Sequence, residues 1–232
     1  MRVREAHVSA FLEREAPDFL LLQEIKCEAH QFPGMDFKAL GYDAVVVGQK
    51  SYNGVALLHK APVELVHKRL PGMTGDDAQA RYVEVRANGM NIGGLYLPNG
   101  NSGGEAGYEY KLHWMHALRD RALALFEDDA DFAPRALPAN DALIRPETRA
   151  AFHALVHTGL TDALRALHPR EALYTFWDYQ AGAWDRNSGL RIDHALLSPR
   201  LAERLVSVTV HRDERAKTQP SDHVPVSVVL TA

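Results

Sequence analysis

Strand-sized apolar runs occur in two blocks of this 232-residue chain, one within residues 19–97 and one within 194–230, with stretches of helical period between them. Short apolar runs suit strands, whereas apolar residues three and four apart suit helices. Phe19-Leu20-Leu21-Leu22 is short enough to be a buried strand, and further strands are expected at Asp43 to Val47, Val55 to Leu58, Tyr82 to Arg86 and Met90 to Leu97, punctuated by glycine or proline. Val8, Phe11 and Leu12 predict a first helix that Pro17-Asp18 ends. Leu112, Met115, Leu118, Ala122 and Leu125 predict a long amphipathic helix, and Phe152, Leu155 and Val156 another. Strands resume at His194 to Leu197, Val206 to Val210 and Val224 to Leu230, while Asp128 to Asn140, acidic and then interrupted by Pro134 and Pro138, reads as a loop. Such an order predicts a layered α/β domain whose antiparallel sheets are covered by helices.

With 46% hydrophobic residues the chain can build one sizeable core, so a single domain over residues 1–232 is expected. Its 26 basic and 30 acidic residues give a net charge of -4, so any nucleic-acid binding must come from a local basic face. Cys27 is the only cysteine, which excludes an intrachain disulfide and makes a cytoplasmic location the default. Met1 to Glu5 lead into an amphipathic segment, and no apolar run approaches a membrane span, so neither a secretory leader nor membrane association is expected.

Two segments pair an acid with a histidine: Arg191-Ile192-Asp193-His194, and Ser221-Asp222-His223 before the last strand. A carboxylate bonded to one ring nitrogen of His223 would fix its tautomer and leave the other to meet a phosphate or a water, and Asp193 is a candidate for that role. Ser-Asp-His before a strand also suits plain turn chemistry, with Ser or Asp capping the loop. Three consecutive residues on an extended segment alternate in direction, so Ser221-Asp222-His223 is no hydrolase triad in itself, and no Gly-x-Ser-x-Gly accompanies it. His113 and His116 share a helix face without a His-Glu-x-x-His pattern and read as solvated. Glu24 ends the first apolar run, where sites gather in layered α/β proteins. Asn99-Gly100 is a turn signal by itself. Phe176, Trp177 and Trp184 lie close in sequence to Arg186 and Arg191, a mixture suited to stacking on DNA while pairing with its backbone, although burial in a core is an even alternative for Trp177.

Taken in order, Gln23-Glu24-Ile25-Lys26-Cys27, Tyr52-Asn53-Gly54-Val55-Ala56, Gly94-Leu95-Tyr96-Leu97-Pro98-Asn99-Gly100, Tyr174-Thr175-Phe176-Trp177-Asp178-Tyr179, Arg191-Ile192-Asp193-His194 and Ser221-Asp222-His223 cover nearly the whole chain. This series resembles the exonuclease III class of the endonuclease/exonuclease/phosphatase superfamily, whose members cut DNA at abasic sites. The resemblance implies a DNase I-like four-layer α/β/β/α sandwich and hydrolysis of DNA phosphodiesters at abasic sites and 3′ ends, in base-excision repair. It implies that Glu24 binds Mg²⁺, with Mn²⁺ as an alternative, and that Asp222 sits next to the metal. Hard oxygen ligands suit such a cation. It further implies that His223 and Asp193 act on the phosphate, that Tyr52, Tyr96 and Asn99 position it, and that Phe176, Trp177, Trp184 and Arg191 meet the DNA. Leu190 takes the place that shapes the abasic-sugar pocket. The implied partner is double-stranded DNA, bound by a monomer.

Two features of the family pattern are missing. The resemblance implies a strand ending in Asn-x-Asn before the first helix, and this sequence opens at that helix. It also implies a strand ending in Gly-Asp-x-Asn after the long helix, where the chain reads Phe132-Ala133-Pro134-Arg135-Ala136-Leu137-Pro138-Ala139-Asn140. A fold short of two strands is therefore expected. Two functions follow: an Mg²⁺-dependent nuclease, or an impaired relative that binds DNA or phosphate without turnover. A phospholipid or inositol phosphate substrate ranks last, because the tryptophan-rich segment and the Tyr96 to Asn101 loop fit the nuclease branch better.

Overall fold

The computed structural model describes residues 2–73, 77–125, 142 and 145–231. The expected loop from Asp128 to Asn140, and with it the place where Gly-Asp-x-Asn would stand, lies outside the described residues. Two compact units are formed, Met1–Arg121 and Ala122–Ala232.

In the first unit, helix α1 (Glu5–Glu15) buries Phe11 and Leu12 and ends where Ala16 turns into the left-handed region at φ 46°, its N–H returning to the Leu12 carbonyl. Pro17 follows, which cannot continue a helix. Strand β1 (Phe19–Leu22), helix α2 (Gly34–Ala39), and strands β2 (Asp43–Val47) and β3 (Val55–His59) come next, and the strands form an antiparallel sheet in the order β1-β3-β2. β3 is central and buried throughout, and the two-residue period splits its side chains. Ala56 and Leu58 face Leu12 of α1, Ile25 and Phe37 of α2. Val55 and Leu57 face Val83 and Val85 of a second sheet. That sheet joins β4 (Glu64–His67), β5 (Tyr82–Ala87) and β6 (Met90–Leu95) in antiparallel order β4-β5-β6. On its far side Tyr82 packs with Leu70 against Trp114 and Ala117 of helix α3 (Gly104–Leu125). Within this unit the layers therefore run helix, sheet, sheet, helix. Each fully buried Leu or Val contributes about 1.5–3 kcal/mol to holding them together. The sheets approach so closely that a Cβ on Gly94 would stand 2.4 Å from Leu21 Cδ2.

The second unit contains helix α4 (Pro146–Val156), strand β7 (Thr161–Asp162), helix α5 (Ala163–Leu167), strand β8 (Leu196–Leu197), helix α6 (Pro199–Ala202), and strands β9 (Leu205–Val210) and β10 (Val226–Leu230). β7 pairs with β8 and β9 with β10, all antiparallel. Ala163, Leu164, Leu197 and Val208 form its core. Among the described residues, no helix is long and apolar enough to cross a membrane.

Expectations for several strands need correction; those expected to start at His194 and Val224 start at Leu196 and Val226. β1 is not buried: it lies at the edge of its sheet among the described residues, and Leu21 is 40% exposed. β4 was not anticipated, because Glu64-Leu65-Val66-His67 has only two central apolar residues and borders the sheet. The strand expected from Met90 to Leu97 ends at Leu95; the Tyr96 N–H still donates to the Arg81 carbonyl at 2.8 Å, the next pair of the same register, and Pro98 has no N–H with which to extend the pairing.

Candidate active site

The second unit brings the two acid-histidine segments together through a short three-segment bridge. Phe176 pairs with both Leu190 and His223. The Val224 N–H donates to the Thr175 carbonyl and the Thr175 N–H to the Leu190 carbonyl, at 2.9 and 2.8 Å. Fully buried Thr175 adds its hydroxyl, which accepts the backbone N–H groups of Ile192 and Asp193, each at 3.2 Å. One residue thus anchors both chemical segments. His223 Nδ1–H donates to the Asp193 carboxylate at 3.0 and 2.9 Å, and the ring packs on Phe176 with centroids 4.9 Å apart. The His223 side chain is 35% exposed and Asp193 20%, so the pair is open to a substrate. With Nδ1 committed to Asp193, exchange of a proton or hydrogen bond with a substrate falls to Nε2. The Ser221 hydroxyl accepts the His223 N–H at 3.2 Å and donates weakly to Asp222 at 3.4 Å, so the capping reading of this turn and the chemical one hold together.

Two residues expected to meet DNA are placed otherwise. Trp177 is 1% exposed, wedged edge-on against Tyr174 and Trp184, so it belongs to the core. Arg191 has a side chain only 10% exposed, and its guanidinium is bound to the buried carboxylate of Asp162 at 2.5 Å and to His194 Nδ1 at 2.9 Å. Burial alone would raise the Asp162 carboxyl, but the His194 hydrogen bond and the Arg191 charge override it and hold the group well below the usual carboxylate range. This ion pair braces the backbone just before Asp193. Phe176 and Trp184 are half-buried at the surface.

In the first unit, Glu24 follows β1 and takes φ 48°; Lys26 and Asn53 are also left-handed, at 50° and 54°. Two backbone bonds tie these turns together, Ile25 N–H to the Gly54 carbonyl at 3.1 Å and Lys26 N–H to Asn53 at 2.9 Å. Glu24 accepts from Lys26 Nζ at 2.6 Å and from the Tyr96 hydroxyl. Burial first, and then this bond to a carboxylate, push the Tyr96 phenol up to about 12, so it is a neutral donor. Arg81 stacks on the Tyr96 ring at 4.7 Å and is itself held by Gln79, which also binds Asn53. The neighbouring Tyr52 is 72% exposed. Asn99 is exposed; its side chain turns the loop by accepting the Asn101 N–H at 3.0 Å, and its carbonyl accepts from buried Lys111 at 3.1 Å.

Among the described residues no three His, Cys, Asp or Glu side chains cluster to hold a metal by themselves. Mg²⁺ needs less, since it takes one or two carboxylates and keeps several waters. Taken each within its own unit, two carboxylates have suitable donor chemistry: the Glu24 side chain of the first is 35% exposed, Asp222 of the second is half-buried, and each offers only oxygen. Lys26 would have to release Glu24 to admit the ion.

Thr175, Asp162 and Arg81 escaped the sequence reading. Thr161-Asp162 before a helix does signal a cap, and Asp162 accepts the Arg165 N–H at 3.2 Å, but nothing local signals its bond to Arg191.

The chain is similar to known proteins over nearly its whole length. The profile of the Endonuclease/Exonuclease/phosphatase family matches residues 1–223. The chain is 32% identical over 253 residues to exodeoxyribonuclease III of Haemophilus influenzae, covering 97% of this chain and 94% of the relative. Among solved structures, an AP endonuclease from Archaeoglobus fulgidus superposes with a TM-score of 0.90 at 31% identity, covering 100% of this chain and 95% of that one. A 3'-5' exonuclease from Neisseria meningitidis gives 0.87 at 33%, covering 99% and 95%.

Proposed function

The chain belongs to the endonuclease/exonuclease/phosphatase family, and from that premise we propose that it is a DNA-repair nuclease of the exonuclease III kind, hydrolysing phosphodiesters at abasic sites and 3′ ends of duplex DNA. The observation that carries this reading is the His223–Asp193 pair, bonded at 2.9 Å, open to solvent and seated beside Phe176. Asp193 holds the imidazole in the tautomer that presents Nε2, which then donates to a phosphate oxygen or takes a proton from water. Tyr96, kept neutral, has a single O–H, which Glu24 accepts; it would position a phosphate only on releasing that carboxylate, and adds no negative charge there. Exposed Tyr52 and Asn99 supply further donors for the phosphate, and Phe176 an apolar wall for the sugar left without a base. Glu24 and Asp222 would hold Mg²⁺ or Mn²⁺, which when bound neutralises charge on the phosphate. We read the two units as parts of one catalytic domain acting as a monomer, and the single, buried Cys27 accords with a cytoplasmic setting.

Incision of an abasic duplex should require Mg²⁺ and fall on the order of 10²–10⁴-fold in His223→Ala. Incision undiminished in that variant would sink the mechanism. The missing Gly-Asp-x-Asn, for which residues 132–140 offer no equivalent, favours a second reading, an impaired relative. Abasic DNA bound tightly but never cut, with Mg²⁺ present and the chain folded, would establish it.

A further inference from the structure

Two arginines of the second unit lie on its aromatic cluster. The exposed Arg212 guanidinium sits 4.4 Å over the Trp184 ring and 5.6 Å from that of Trp177. Its Nη2–H donates to Asn187 Oδ1 at 3.3 Å, the oxygen that also accepts the Trp177 indole N–H. Arg215 is 7% exposed, lies 5.0 Å from the Tyr179 ring, and donates through Nη2 to the Trp177 carbonyl at 3.2 Å, while its Nε has no partner among the described residues. Neither guanidinium bridges to a carboxylate among the described residues. In a chain of net charge -4, two guanidinium charges thus stand on this face outside any ion pair among the described residues, with Asp213 and Glu214 between them in sequence. The patch is built onto the loop that carries the histidine: Trp177 N–H donates to the Asp222 carbonyl and the Tyr179 hydroxyl to the Pro220 carbonyl, both at 2.9 Å.

We propose that Arg212, held flat on Trp184, contacts a phosphate of the DNA backbone flanking the scissile bond, an inference that rests on the nuclease reading above. A stacked guanidinium has already lost much of its rotamer freedom, so less is lost when it pairs with a phosphate, and its planar fork matches two phosphate oxygens. Trp184 serves as the platform. It meets Arg212 at 4.4 Å and Trp177 edge-on at 4.9 Å, so it presents a cation to the DNA in place of its own ring. Arg215 stays buried and adds charge without contact.

The test is fluorescence anisotropy with a labelled abasic duplex in EDTA, over roughly 50 to 200 mM salt, comparing wild type with Arg212→Ala and Arg212→Gln. Gln keeps the aliphatic stem on the indole and removes the charge, so it guards against a folding defect in the Ala variant. Both variants should lose several-fold in affinity at the low end of that range, and the slope of log K against log salt should shrink by about 0.9, the value of one phosphate contact on duplex DNA. A wild-type slope in both variants would overturn the inference, even if affinity fell. Incision by the wild type in Mg²⁺ is measured in parallel. Normal incision with unaltered binding by the variants removes this contact alone, whereas a wild type that neither binds nor cuts removes the nuclease reading with it.

Discussion

Thr175→Val removes one hydroxyl and almost no volume, and that hydroxyl accepts the backbone N–H groups of Ile192 and Asp193 from a fully buried position. The two N–H groups would lose their acceptor together. Each orphaned donor costs about 1–3 kcal/mol when fully buried. Ile192 and Asp193 are half-buried, so the low end applies to each and the sum is about 2 kcal/mol. For a chain of this size that lowers the melting temperature by roughly 4–8 °C. The functional loss should be larger than the loss of stability suggests, because Asp193 is the residue that fixes His223. A shift of about 1 Å in that carboxylate can cost up to ~10²-fold in turnover. The assay pairs a thermal melt with single-turnover incision of an abasic duplex, and Thr175→Ser, which keeps the acceptor, is the control. A valine variant that melts and cuts like the wild type would refute the reasoning, since valine differs from threonine only in putting a methyl where the accepting hydroxyl stood; the serine variant, which loses that buried methyl but keeps the acceptor, should retain more of the incision rate.

Two further outcomes concern stability. The depressed Asp162 carboxyl contributes stability that is fully present above its unfolded pKa, about 3.9, and is lost as pH falls from there toward the folded value. Melts from neutral to strongly acid pH should therefore drop less steeply below about pH 4 in Asp162→Asn than in the wild type; at neutral pH that variant should be weaker by about 3–5 kcal/mol, since Arg191 is left buried without its counter-charge. Glu84, 1% exposed, is bonded by Arg121 at 2.6 and 3.0 Å and by Tyr82 at 2.8 Å. Arg121→Met alone should cost about 3–5 kcal/mol in denaturant unfolding, and adding Glu84→Gln should recover most of it, because a neutral amide needs no cation.

The sequence was most legible where structure is local. The ends of β2, the start of β3 and the apolar stripe of α3 follow from residue period and turn signals, which act over a few positions. Motif order also identified His223 and Asp193, whose bond spans thirty residues. Partner choice was not legible. Arg191 looked like a phosphate ligand because cations usually are solvated, and only the fold brings Asp162 to it across 29 positions. Trp177 had even prospects of burial, and its place was decided by Tyr174, Trp184 and Asn187 closing around it. The apolar run of β1 carries no record of which of its neighbours will cover it, so its exposed Leu21 could not be foreseen.

Glu24, Lys26 and Asn53 hold left-handed backbone angles with side chains that, apart from asparagine, seldom tolerate them. For Glu24 and Lys26 this costs on the order of 1 kcal/mol each, relieved by glycine. Position 24 therefore sets heat resistance against chemistry: a library selected only for melting temperature would drift toward glycine there and discard the carboxylate proposed to bind the metal. Stabilising this protein without silencing it means fixing residue 24 and looking for gains elsewhere.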